Sequence, residues 1–120
     1  MKAELVTEPN AHSEFEVQAY LWNELRSSGF NVYGEVKTVQ KENNKPAVCR
    51  FDIAEFSKGK LAGIIEVKSS AICHRSEGGW SATRQGARYA SFGVPVVIIY
   101  GMDHAIDFAA SAKRLGRIPY

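Results

Sequence analysis

The chain has 120 residues, one domain's worth, with 45% hydrophobic and 23% charged residues and a formal net charge of +2. That balance describes a globular chain with one modest core. It does not by itself announce a nucleic-acid binder, although a local basic patch stays open. The longest apolar run, Val94 to Tyr100, is too short to cross a bilayer. The start MKAELVTEPN lacks the apolar stretch of a signal peptide, and Cys49 and Cys73 form no CxxC pair, so the chain reads as cytoplasmic with reduced thiols.

The first element is a helix within HSEFEVQAYLWNELRSSGF. Ser13 caps its start, Glu16 completes a capping box, and Gly29 stands where helices stop. Val17, Leu21 and Leu25, at spacing four, form its apolar stripe. The alternating, β-branched run NVYGEVKTV predicts a strand over 31–39, and KENNKP a polar turn over 41–46. AVCRFDIAEF predicts a second strand over 47–56, SKGK a hairpin turn over 57–60, and LAGIIEVKSS a third strand over 61–70. A looser segment around Gly78-Gly79 follows. SATRQGARYASFG predicts a helix over 81–93 stopped by Gly93, and VPVVIIYG an apolar, central strand over 94–101, suited to a parallel neighbour. DHAIDFAASAKRLG predicts a last helix over 103–116, capped at Asp103. The order is helix-strand-strand-strand-helix-strand-helix, an α/β domain over 1–120. It has an antiparallel meander, a crossover and a mixed central sheet flanked by helices.

The chemistry gathers on two of these strands. Alternation sends Glu66 and Lys68 to one face of an otherwise apolar strand. Asp52 sits in the preceding strand, on a face shared with Arg50 and Ala54, while Phe51 and Ile53 face the other way. Charges inside a sheet are paired or hold a metal. Two convergent carboxylates suit a hard cation such as Mg²⁺, and a lysine beside them suits a water or a phosphate oxygen. At about 100° per residue, Glu14 shares the inward helix face with Val17, Gln18, Leu21 and Leu25, whereas Glu16 points away. Glu35 reads as a solvated strand residue, with a peripheral acid near the site as the other reading. His74 reads as an exposed loop residue, and His12 and His104 as capping-region residues. No zinc-ligand spacing, phosphate-binding glycine loop or dinucleotide fingerprint is present, so no nucleotide cofactor is expected.

Asp52, thirteen residues, then Glu66-Val67-Lys68 resembles the D…(D/E)xK signature of the PD-(D/E)XK nuclease superfamily, the restriction-endonuclease-like fold. The predicted element order matches that core across most of the chain. One departure is that Phe51 replaces the proline of the family name. The resemblance implies a metal-dependent nuclease in which Asp52, Glu66 and the Val67 carbonyl hold Mg²⁺, or Mn²⁺ in its place. Glu14 would complete the site, and Lys68 would act on the attacking water. Gln85 and Tyr89, four apart on one helical face, resemble the QxxxY motif of several branches of that family, which lines the site and contacts DNA. Arg84 and Arg88, with Lys58 and Lys60, are then candidate phosphate contacts. The expected protein is a DNA endonuclease, structure-selective or junction-resolving, acting as a homodimer with no membrane association. A non-catalytic nucleic-acid-binding module on the same fold is the alternative, and a regulatory domain with a structural acid–lysine pair a further one.

Overall fold

The computed structural model describes residues 6–42, 45–68 and 89–120. Helix α1 spans Glu14–Ser27. Its start is the expected capping box: Ser13 Oγ accepts from the Glu16 amide at 3.2 Å, and Glu16 Oε1 accepts from the Ser13 amide at 3.2 Å. His12 holds the other Glu16 oxygen at 3.0 Å, and with Ser13 it keeps that carboxyl below its usual range. At the far end Gly29 takes φ 95°. The Phe30 and Gly29 amides then donate back to the Leu25 and Arg26 carbonyls, the bond pattern of a Schellman cap.

Strands β1 (Val32–Glu42), β2 (Lys45–Ser57) and β3 (Lys60–Lys68) form the antiparallel meander. β1 and β2 run further than expected, pairing as far as Glu42 with Lys45, so strand occupies most of what reads as a polar turn. The β2–β3 turn places Lys58 at φ 53° and Gly59 at φ 78°, the two left-handed residues of a type I′ hairpin. Strand β4 (Val96–Tyr100) pairs parallel with β3, from Ile64 opposite Val96 to Lys68 opposite Tyr100. Among the described residues the sheet order is β1-β2-β3-β4, so β4 ends this sheet and is not central. Its apolar composition has another cause: Val97 and Ile99 pack on one face of the sheet and Val96 on the other.

Helix α2 (Gly101–Leu115) follows β4 directly and begins two residues before the expected Asp103 start. Gly101, at φ 81°, turns the chain from strand to helix, and the His104 ring accepts from the Tyr100 amide at 2.9 Å in place of an Asp103 cap. α1 and α2 cover the same sheet face. Val17, Leu21, Leu25, Ala105, Phe108 and Ala112 pack there against Val32, Ile53, Ile65, Val67 and Ile99. The other face buries Cys49, Phe51, Ala54, Ile64 and Tyr89, with Phe92 and Val94 against them. Of the helix expected over 81–93, Tyr89 and Ala90 are helical and residues 91–93 turn out of it; residues 81–88, with the Gly78-Gly79 segment, His74 and Cys73, lie outside the described residues.

One rung of the β1–β2 hairpin changes face. Strand alternation would put Phe51 with Ile53 and Val32 with Val36. Instead Ile53 and Val32 belong to the helix-covered core, and Phe51 and Val36 to the opposite one. The register on either side is unbroken, Gly34 with Ile53 and Val36 with Phe51, and only the rung between them, Glu35 and Asp52, is unpaired. Glu35 takes φ 55°, a conformation non-glycine residues rarely adopt. The hairpin therefore turns over at this rung, beside the last described β2–β3 pair, Ile53 with Ile65.

Candidate functional site

Where β2 leaves β3, the backbone groups that would have continued the ladder need other partners. Two carboxyls supply them. The Val67 amide donates to Asp52 Oδ2 at 2.8 Å, and the Asp52 amide donates to Glu66 Oε2 at 3.3 Å. The Asp52 carbonyl accepts from Gln18 Nε2 at 3.0 Å. The Tyr89 hydroxyl lies between Glu66 Oε1, at 3.0 Å, and the Arg50 carbonyl, to which it is also hydrogen bonded. The parting strands are thus held open by side chains, and the acids sit in the opening.

A cavity of about 540 Å³ opens there, with Glu14, Gln18, Asp52, Glu66, Lys68 and Tyr89 in its wall. Glu66 is only 2% exposed. Its burial, and then the charge and hydrogen bond of Asp52, push its carboxyl up to about 8. Near neutral pH the Glu66 carboxyl is accordingly mostly protonated. Asp52 and Lys68 are partly buried, and Glu14 stands exposed at the start of α1. Two acids, an amine and a third acid from the helix therefore line one opening.

The remaining site residues read from the sequence fall elsewhere. Tyr89, a nucleic-acid contact on the sequence reading, has its ring buried edge-to-face against Phe51, with centroids 5.2 Å apart, and it lines the cavity. Lys58 and Lys60 are exposed in the β2–β3 turn, about six residues and roughly 20 Å along the strand from Glu66. Gln85, Arg84 and Arg88 lie outside the described residues. Gln18, Glu35 and Arg50 also take part in the site. Gln18 Nε2 holds Glu35 Oε1 at 3.1 Å as well as the Asp52 carbonyl, and Arg50 Nε binds Glu35 Oε2 at 3.2 Å. Gln18 left a signal, because it shares the inward face with Glu14. Glu35, solvated on the preferred sequence reading and a peripheral acid on the other, lines the cavity, where the turned-over rung puts it.

No family model, curated protein or solved structure matches this chain. Among the described residues, no three His, Cys, Asp or Glu side chains group closely enough to hold a metal ion between them. The donor set is therefore two carboxyls on neighbouring strands. Mg²⁺ suits such a set, since it takes hard oxygen ligands, keeps several of its waters and is commonly bound through one or two carboxylates plus substrate phosphate. Among the described residues no helix is long and apolar enough to cross a membrane.

Proposed function

We propose that the protein is a Mg²⁺-dependent DNA endonuclease with a restriction-endonuclease-like active site. The observation that carries this reading is the meeting of Asp52 and Glu66 at the parting of β2 and β3, with Lys68 two residues on in the same cavity wall. Asp52 and Glu66 would hold the cation, and Glu14 would reach it from the helix through water. A bound divalent ion supplies charge for the phosphate oxygens and a lowered water pKa. Lys68 orients the attacking water and offsets charge on the phosphate. Gln18 and Tyr89 keep the two acids in place through the Asp52 carbonyl and the Glu66 carboxyl.

The test is cleavage of labelled duplex, single-stranded and four-way-junction DNA with Mg²⁺ or Mn²⁺. Glu66→Ala and Lys68→Ala serve as controls, each shown to be folded. Cleavage that needs the metal and both side chains supports the reading. A folded wild type that binds DNA with a steep salt dependence but cuts no substrate would replace the nuclease with a non-catalytic binding module.

A further inference from the structure

Beyond the turned-over rung, the β1–β2 hairpin continues as an arm with two unlike faces. Cys49 and Phe51 are buried on the inner face, with Val36 and Thr38 partly covered. The outer face carries two exposed rungs. Lys37 pairs with Arg50, and two residues further out Val39 pairs with Val48. Directly opposed residues of an antiparallel ladder share a face, so these four side chains lie together. Val39 is 66% exposed and Val48 62%, large values for a cross-strand valine pair.

This stretch of β2 borders the cavity: Val48 and Arg50 of the outer face, with Cys49 between them, belong to its wall. Across the opening, in the first turn of α1, stands Phe15, which lines the same cavity and is 74% exposed. Arg50 uses Nε on Glu35, one of five N–H donors, so that carboxylate is already partnered at the inner end of the face. A cationic rung and an apolar rung therefore lead to an apolar ring at the mouth of an acid-lined cleft.

We propose that this face of the arm, with Phe15, is a track for unpaired nucleic acid leading into the cleft. Lys37 and Arg50 take phosphates, and Val39, Val48 and Phe15 take the faces of unstacked bases. The proposal rests on the nuclease reading and narrows its substrate to strands that are single, or opened beside the scissile bond. Charge complementarity selects a polyanion, and the interleaved apolar groups select the unpaired form. A duplex keeps its base faces stacked inside and offers these side chains only phosphates and groove edges, whereas a single strand offers a π-face at every nucleotide.

The test is fluorescence anisotropy of a short labelled single strand and of the matching blunt duplex, in EDTA so that no cutting occurs. It compares wild type with Lys37→Ala, Val39→Ser, Val48→Ser and Phe15→Ala. All four positions are exposed, and circular dichroism checks that each variant is folded. Wild type should prefer the single strand. Phe15→Ala and the paired Val39→Ser/Val48→Ser variant should each lose roughly tenfold in affinity for it, with little change for duplex. Lys37→Ala should lower the slope of log affinity against log salt by about 1 on either substrate. Equal binding of both forms, or unchanged affinity in the apolar variants, would overturn the track. If the metal-loaded wild type cuts DNA while these variants bind as wild type does, the track fails and the nuclease reading stands. If wild type neither binds nor cuts, both fall together.

Discussion

Glu66 is the residue with the most unusual environment, and its chemistry can be read without any substrate. Its carboxyl is raised from an ordinary 4.5 to about 8, first by burial and then by Asp52. The sign follows from linkage: between those values the folded protein binds a proton that the unfolded chain has released. Glu66 thus contributes stability that is fully present below about 4.5 and is lost as pH rises through about 8. At about 1.4 kcal/mol for each pH unit between the two values, the effect is large enough to see. In metal-free protein, urea midpoints should fall from pH 5 to pH 8.5, and Glu66→Gln, neutral at both ends, should flatten that dependence. A wild-type midpoint that holds or rises over this range would show that the Glu66 carboxyl is not raised. The groups around it should be sensitive too. Tyr89→Phe removes the hydroxyl shared by Glu66 and the Arg50 carbonyl, and Gln18→Ala removes the donor to the Asp52 carbonyl. Each removes one donor from buried or partly buried acceptors and should cost about 1–3 kcal/mol in chemical denaturation, more for Tyr89 because its site is drier.

At the scale of elements, two places show how tightly local chemistry and tertiary packing are joined. Gly63 in β3 lies under the ring of Tyr120, whose hydroxyl donates to Glu55 Oε1 at 2.7 Å. A Cβ on residue 63 would stand 2.0 Å from that hydroxyl oxygen, so Gly63→Ala must expel the ring. The cost should be about 1–3 kcal/mol. Gly63→Ala in a Tyr120→Ala background should cost less, and a fully additive cycle would place the penalty elsewhere. In the type I′ turn, Lys58 holds φ 53° without the local hydrogen bonding that lets Asn sit there, so Lys58→Asn should raise stability by several tenths of a kcal/mol. These elements also separate what the chain reveals locally from what it hides. The cap of α1, its inward stripe and the hairpin joining β2 to β3 are legible because their causes lie within a few residues. The start of α2 is not, because Gly101 and His104 make the turn in place of an Asp103 cap. The edge position of β4 is equally hidden, because an apolar strand covered on both faces reads like a central one. At the site, Asp52 and Glu66 come together across neighbouring strands, and Lys68 and Glu14 line the same cavity. Gln18, Glu35 and Arg50 join them only because the hairpin turns over at φ 55° on Glu35, a tertiary choice with no mark in composition.

For the molecule as a whole, the open end of the sheet couples folding, protons and the proposed cation in one place. The carboxyls that replace ladder bonds at the parting of β2 and β3 are the same two that would bind metal, so a bound ion should stabilise the whole fold by mass action. The proton on Glu66 competes with it, because a carboxyl must be ionised to ligate. Apparent metal affinity should therefore fall roughly tenfold for each pH unit below about 8 and level off above it. Thermal unfolding in Mn²⁺ should show a rise in Tm over EDTA that is small at pH 6.5 and large at pH 8.5. That is the reverse of the metal-free trend, in which alkaline pH weakens the fold. Glu66→Gln should lose most of the rise at both pH values and Asp52→Asn likewise, whereas Lys68→Ala should keep it, since the amine acts on water and phosphate and holds no metal. A rise in Tm that ignores pH, or that survives in Glu66→Gln, would mean that the ion sits elsewhere on the chain. The two acids would then be a structural clasp for the parted strands.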